Sequence, residues 1–503
     1  MWNLRELVKG IEPLVITGSL DKEVYEIASD SRKVAKGYLF VAIKGSSHDG
    51  HNFIPTAQAR GAVAIVHERG LPDRQKEPGI TYIQVGDTQR ALALLAARFY
   101  HHPSQQLPLI GITGTNGKTT ISYLLGSILE AAGYKVGIIG TIAYRWGKGV
   151  RPAGLTTPDA LELQLMLHQM LKEGIDYGIM EVSSHALKLK RVDGCSFKLA
   201  IFTNLTGDHL DFHGTMEDYF NSKKRLFYDL NPSQAIINQD DPWGQQLLAQ
   251  LPPSMPFLTY GLSIPGRVTD IRAEQISCFM DGLSFLAQTP AVTIPIGSPL
   301  TGEHNIYNIL AGVGAALCLN IAPEYIQQGI KNLKGVPGRF EKIDLGQEFA
   351  VVVDYAHTPD ALENTLRGAR ELTNNRLITV FGCGGDRDRS KRPIMGKLAA
   401  YYSQFMIITS DNPRSEDPLK IIAEIEEGVR DLRQDKHTYE IVPQRKDAIY
   451  RAISLAQSGD IVIIAGKGHE TYQIMGDKVI PFDDREIARA ALQERLDGKL
   501  IVK

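Results

Sequence analysis

The feature that most constrains this chain is a recurring unit. A short apolar run stops at a glycine or an acid, an amphipathic stretch follows, and another run begins. Between about residues 107 and 338 the runs read "LIGIT", "KVGIIGTI", "YGIMEV", "LAIFTNL" and "QAIINQD". Helical stretches separate several of them, such as "KTTISYLLGSILEAAG", which ends on Gly133 as a helix cap would. Such alternation predicts a mostly parallel sheet with helices on both faces. The theme returns after "LKGVPGRFE" (333–341), where Gly and Pro break the pattern, in "FAVVVDYA", "RLITVFG", "FMIITSD" and "DIVIIAG". There Thr358-Pro359-Asp360 supplies an N-cap and a first-turn proline. Residues 1 to about 106 hold the shorter runs "YLFVAI" and "AVAIVHE" and close in the polar linker "HHPSQQLP".

At 503 residues the chain is too long for one hydrophobic core, so several domains are expected. A net charge of -2 argues against nucleic acid as partner. Small anionic ligands need only a few well-placed cations. Cys195, Cys278, Cys318 and Cys383 are scattered without a CxxC pair, which argues against a disulfide framework or structural zinc. No signal-peptide core stands in "MWNLRELVKG", and no apolar run approaches the roughly 18 residues of a membrane span. A soluble, cytoplasmic, reduced protein is the expectation.

Ligands of open α/β sheets bind beyond the carboxyl ends of the strands, so the residues just after each apolar run carry the chemistry. After "LIGIT" comes "GTNGKTT". The common phosphate loop has Gly, four residues, then Gly-Lys-Ser/Thr; counting back from Gly117-Lys118-Thr119, that rule lands on Ile112. Glycines stand instead at Gly111, Gly114 and Gly117. Strand before, helix after and Gly-Lys-Thr-Thr at the join still predict a phosphate cradle on a helix N-terminus. Lys118 would neutralise the β- and γ-phosphates and Thr119 would reach a magnesium ion. After "YGIM" comes Glu181, placed where a magnesium ligand would sit. By itself such a residue is often only a solvated strand-end acid. His209, Asp211 and His213 lack zinc-site spacing, and several are expected to be loop-fixing hydrogen bonders. In the last segment Asp354 ends a strand, as does the acid that takes ribose hydroxyls in dinucleotide folds. Arg387, Arg414, and the Gly466, Lys467 and Glu470 of "AGKGHE" follow neighbouring runs. Two guanidinium forks and a carboxylate in one crevice would suit a zwitterion. The residues alone thus give an ATP-type loop, an amino-acid-like pocket, and a phosphoryl donor activating something that an amine attacks.

"GTNGKTT", "TTPDA", "MEVSSHAL", "TNLTGDHLDFHG", "GEHNIYNILA", "GRFE", "DYAHTPDAL", "GCGGDRD", "DNPR" and "AGKGHE" occur in this order, and the chain resembles the Mur ligases of peptidoglycan synthesis. The resemblance runs from "DSR" at 30–32 to Glu470. It implies three domains: 1–106 binding a UDP-sugar, 107–338 binding ATP on a P-loop-type, mostly parallel sheet, and 339–503, Rossmann-like, binding an amino acid. It implies the loop Gly114-Thr115-Asn116-Gly117-Lys118-Thr119-Thr120 without need of Gly111. The implied reaction phosphorylates the terminal carboxylate of UDP-MurNAc-L-Ala-D-Glu, and the amine of a diamino acid displaces phosphate from the acyl phosphate. Lys118, Glu181, His209 and Lys223 would be the catalytic set, with Thr119 and Glu181 on one magnesium and His209 and Lys223 on a second. Lys223 matches a lysine that becomes carbamylated in the family; by position alone it is an exposed helical lysine, and Lys224 makes the register arguable. Asn305, Asn308, Arg339 and Asp354 match nucleotide contacts, with Arg339 at the hinge. Ser31, Ser46, Ser47 and His48 match uridine-side contacts, and Thr156, Thr157, Ser183 and Arg191 the muramoyl-peptide contacts. Leu189 departs from the glutamine that many relatives carry two residues before that arginine.

In the family, arginine in "DNPR" accompanies meso-diaminopimelate, whose distal carboxylate lysine lacks. Arg387, Asp411, Asn412, Pro413, Arg414, Gly466 and Glu470 would form this pocket, Glu470 taking the distal ammonium. The chain is expected to act as a monomer, in a bacterial cytoplasm or a plastid descendant of one. Alternatives are the same ligase adding L-lysine, a folylpolyglutamate synthetase, a P-loop ATPase or kinase of another class, and a catalytically dead binding protein.

Overall fold

The structure, a computed structural model, describes residues 1–45, 48–262, 268–430, 432 and 438–499. Three larger sheets follow one another along the chain. The first has five strands in the order Pro13–Thr17, Thr81–Val85, Ala64–His67, Tyr38–Val41 and Glu26–Ala28, parallel except for the first pair. Its edge strand Pro13–Thr17 is exposed along its whole length, with Leu14 at 66% and Val15 at 53%.

The second sheet has eleven strands, and Leu109–Thr113 stands near its centre between Tyr177–Glu181 and Leu199–Phe202. The chain leaves that strand toward one side of the sheet and later crosses to the other. Its carboxyl end is therefore a topological switch point, where a crevice opens. The core strands are buried on both faces, as continuous apolar runs require. Beyond Ala235–Asn238 the sheet adds a parallel strand, Phe257–Leu262, and then Ile271–Phe279, Gly282–Gln288 and Thr293–Ser298. The last two pairings are antiparallel. This extension was not among the runs expected from sequence. Its signal is alternation rather than a run: Thr293–Ser298 is exposed and buried at successive residues.

The third sheet has six strands in the order Glu341–Ile343, Ala350–Asp354, Ile461–Ala465, Leu377–Phe381, Phe405–Ile408 and Tyr439–Ile441. Only the first pairing is antiparallel. The late strand Ile461–Ala465 inserts between two earlier ones, so "DYAH", "GCGG", "SDNPR" and "AGKGHE" all emerge at one end. A separate two-stranded hairpin, Tyr472–Met475 with Lys478–Pro481, comes after it. Among the described residues no helix is long and apolar enough to cross a membrane.

Candidate active site

The phosphate loop begins where Leu109–Thr113 ends, and the helix Lys118–Ala131 begins at its far side. Gly114 (φ +145°) and Gly117 (φ +87°) carry the turn. A Cβ on Gly114 would meet Thr203 Oγ1 at 1.8 Å, and one on Gly117 would meet Asn308 Oδ1 at 2.4 Å. Gly111 lies inside the strand, where a Cβ would press on Phe197, so it serves packing and not the cradle. Lys118 Nζ donates to the carbonyls of Gly114 (2.9 Å) and Thr115 (2.7 Å). Burial lowers the pKa of its ammonium, with Glu181 and Asp208 opposing.

Glu181 is no solvated strand-end acid. It is fully buried, because the neighbouring strand end folds over it. Its carboxylate accepts from the Thr119 hydroxyl (3.0 Å) and from the Thr141 N–H and hydroxyl (2.9 Å each). Lys223 is likewise not an exposed helical lysine. It is 1% exposed, on the inner face of the helix Met216–Tyr228. Its Nζ donates to Gly114 O at 2.8 Å and lies 4.5 Å from the Tyr219 ring centre. Lys224 bonds to Gln250 at an exposed position, so Lys223 is the lysine of the pair that faces the loop. Burial, reinforced by the Lys118 cation, holds the Lys223 amine well below its ordinary pKa. His209 has its ring 4.8 Å from that of His185. His213 is a loop fixer, its two ring nitrogens on Ser184 Oγ (3.0 Å) and Ser222 Oγ (3.3 Å).

Three cavities meet here. One of about 330 Å³ holds Asn305, Asn308, Arg339, Asp354 and Asp360 in its wall. A smaller one of about 170 Å³ holds Lys118, Thr119, Glu181, His209 and Lys223. The largest, about 990 Å³, is walled by Thr156, Thr157, Ser183 and Arg191 from the second sheet and by Arg387, Asp411, Asn412, Arg414, Gly466 and Glu470 from the third. Tyr355 and His357 line all three, so the cavities adjoin one another at these two residues.

Arg339 spans the first two cavities. Its guanidinium lies 4.5 Å from the Tyr355 ring centre and donates to Thr119 Oγ1 at 3.3 Å. Its Nε is buried with no protein partner among the described residues, as a donor kept for a ligand would be. Asp354 accepts from the Phe340 N–H (2.7 Å), the Ala356 N–H (2.9 Å) and the Thr365 hydroxyl (3.0 Å), tying the hinge to the third sheet. Asn116 Nδ2 donates to Asp360 Oδ2 at 2.7 Å, a direct bond from the phosphate loop to the third sheet's first helix.

In the large cavity Thr157 is fully buried and donates its hydroxyl to Glu181 O (2.8 Å), so it holds the wall from behind. Arg191 Nη1 donates to Thr157 O. Leu189 ends the short helix Ser184–Lys188, and its side chain lines none of the three cavities. Glu470 Oε2 accepts from Asn412 (2.9 Å) and from fully buried Lys467 (2.8 Å). Arg414 Nη1 donates to Gly385 O at 2.7 Å. Ser31, His48 and Pro413 line none of the three cavities, and Ser46 and Ser47 lie outside the described residues.

The sequence reading missed Thr141, Tyr355, His357 and Asp208. Thr141 was within reach, because it directly follows the run "KVGIIG". Tyr355 and His357 stand in "DYAH", immediately after a strand.

The chain matches three family models: "Mur ligase family, catalytic domain" over residues 23–100, "Mur ligase middle domain" over 112–316, and "Mur ligase, glutamate ligase domain" over 338–468. A UDP-N-acetylmuramoyl-L-alanyl-D-glutamate--2,6-diaminopimelate ligase of Syntrophomonas wolfei is 47% identical over 496 residues, 98% of this chain and 99% of that one. One of the same name from Geobacillus thermodenitrificans is 46% identical over 480 residues, covering 94% and 96%. A solved structure of a ligase of this name aligns over 98% of this chain and 99% of that one, at 33% identity and a TM-score of 0.70. With a glycine-lysine cradle at the switch point and an arginine-lined cavity adjoining it, this chain belongs to the Mur ligase family and is an ATP-dependent, amide-bond-forming ligase.

Proposed function

We propose that the chain joins meso-diaminopimelate to UDP-MurNAc-L-Ala-D-Glu, with ATP converted to ADP and phosphate, in the bacterial cytoplasm during peptidoglycan synthesis. The observation that carries this is the large cavity. Residues expected at the muramoyl-peptide share its wall with Arg387 and Arg414, and the phosphate-loop chamber adjoins it through Thr156, Ser183 and His209. The names of the full-length relatives agree. In this reading residues 1–106 bind the UDP-sugar, 107–338 the nucleotide and 339–503 the amino acid.

ATP would lie from the Asn305–Asp354 cavity to the loop, its γ-phosphate meeting the substrate carboxylate beside Lys118. Two anions must approach there, so a cation preorganised between them lowers the barrier most. The carboxylate oxygen attacks phosphorus and ADP leaves. The amine then attacks the acyl carbon, and phosphate departs from the tetrahedral intermediate. Thr119 Oγ1 and Glu181 Oε2, 3.0 Å apart, are two hard oxygens at the spacing of neighbouring ligands around magnesium, so this pair fits the ion. Magnesium, when bound, would add positive charge at the phosphates. Lys223, buried and directed at the same loop, would extend toward a second ion with His209 if its amine carries a carbamate. A carbamate carbon resonance after exchange with labelled bicarbonate, absent in Lys223→Arg, tests that modification.

Arg414 would read the distal carboxylate. A charge-assisted hydrogen bond contributes about 1.5–3 kcal/mol, so a bidentate pair gives roughly a hundredfold discrimination or more. Phosphate release with ATP, magnesium and the UDP-dipeptide, run with meso-diaminopimelate and with L-lysine in parallel, tests the whole reading. Turnover dependent on diaminopimelate is expected. Preference for lysine removes the role given to Arg414, and hydrolysis independent of any amine removes the ligase assignment.

A further inference from the structure

Arg414 holds a left-handed backbone conformation (φ +51°) that a long side chain adopts only when its surroundings impose it. Two segments supply those surroundings: the Gly385–Asp386 loop, which bonds Asn412, the Arg414 guanidinium and Ser415, and a hairpin, which bonds the backbone of Arg414 itself. The Arg414 N–H donates to Ile474 O (3.2 Å), and its carbonyl accepts from the Gly476 N–H (2.8 Å). Two residues earlier, Asn412 Oδ1 accepts from the Ile474 N–H (3.0 Å). The Gln473 side chain, 5% exposed, donates through Nε2 to Asp411 O. The hairpin Tyr472–Met475/Lys478–Pro481 therefore grips "DNPR" from Asp411 to Arg414, while its outer strand stays exposed, with Val479 at 66%. Two strands alone are marginal in water, so hairpin and loop order one another. Gln473 itself does not line the large cavity, although its neighbours Thr471 and Tyr472 do.

We propose that this hairpin, through Gln473, is a specificity-determining positioning element: it fixes where the Arg414 guanidinium meets the distal group of the incoming amino acid. This rests on the diaminopimelate reading above. Gln473 acts through the loop and touches no substrate.

The test is steady-state kinetics of Gln473→Leu, which keeps the bulk and removes the donor, with thermal melting as a check on folding. The expected result is a KM for diaminopimelate raised about tenfold, the worth of one such hydrogen bond. Preference over lysine should fall by a similar factor, while kcat and the KM values for ATP and the UDP-dipeptide stay within about twofold. Gln473→Glu, which sets an acceptor against the Asp411 carbonyl, should lose at least as much. In an Arg414→Ala background Gln473→Leu should add little, because coupled residues are not additive. A folded Gln473→Leu enzyme with unchanged KM and preference overturns the proposal, as does an undiminished extra loss in the Arg414→Ala background. A wild-type enzyme that prefers lysine instead overturns the amino-acid reading on which the proposal stands, so the two failures are told apart.

Discussion

Two Gly-Lys pairs stand after central strands of two mostly parallel sheets, Gly117-Lys118 and Gly466-Lys467, and their surroundings are opposite. After Gly117 a fourteen-residue helix begins, and its N-terminal end and Lys118 line a chamber, while the Thr115 and Asn116 N–H groups of the loop are held by Asn204. After Gly466 the chain turns instead into a hairpin, and Lys467 is wholly enclosed among Glu470 (2.8 Å), Asn412 (3.2 Å) and Asp411 (3.9 Å). Backbone carbonyls hold the first ammonium, whereas carboxylates hold the second. The element after the dipeptide differs too, and only a helix supplies aligned N–H groups to share an incoming phosphate.

Substitutions can break this comparison or sharpen it. The largest effect is expected at the enclosed lysine. Lys467→Met leaves Glu470 and Asp411 without their cation and should cost about 3–5 kcal/mol of stability, as loss of one partner of a buried pair does. Denaturant melting checks it; a normal melt with abolished turnover would mean that both lysines serve catalysis. Next comes Lys118→Ala, which should lower kcat about 10²–10³-fold, the usual loss for a group stabilising transition-state charge. Its melting curve should be unchanged, since its removal also relieves the repulsion felt by Lys223. Smaller again is Asp360→Ala, which removes the acceptor of Asn116. The KM for ATP should rise about tenfold with kcat at saturating ATP nearly intact.

The smallest effect is read through pH. Burial holds His213, near the first loop, down at about 4 against an ordinary 6.5. The unfolded chain therefore takes up this proton first. Stability from His213 is complete above pH 6.5 and drains away as pH falls toward 4. His213→Gln, which can still bond both serines, should flatten the melting temperature across that window. An unchanged slope would remove His213 from the acid response.

The phosphate loop was legible because its chemistry is local: strand, glycines, lysine and helix lie within one short segment. Gly111 shows the limit, for a third glycine in the motif belongs to packing against Phe197, and only the fold shows that. Lys223 and Glu181 were legible as types but not as environments. Their burial comes from strands and helices distant in the chain, and nothing in "NSKKRLF" distinguishes an inward from an outward lysine except helical phase. The extension beyond Asn238 escaped because its last strands are half exposed, and Thr293–Ser298 leaves alternation in place of an apolar run. The convergence of Arg387, Arg414 and Glu470 was inferred from a shared position after strands. Lys467 stands in the same hexapeptide as Glu470, yet only the fold shows that it is buried and also reaches Asn412 and Asp411.

The edge strand Pro13–Thr17 has a consequence far from catalysis. Leu14, Val15 and Ile16 lie open to water on a strand whose outer N–H and C=O groups meet no neighbouring strand among the described residues. Charged residues and central prolines usually blunt such an edge, and here Pro13 stands only at its start. Concentrated solutions should therefore lose dispersed chains through this margin before any sheet melts. The colloidal behaviour of the enzyme would then be a property of a sheet margin and not of its core.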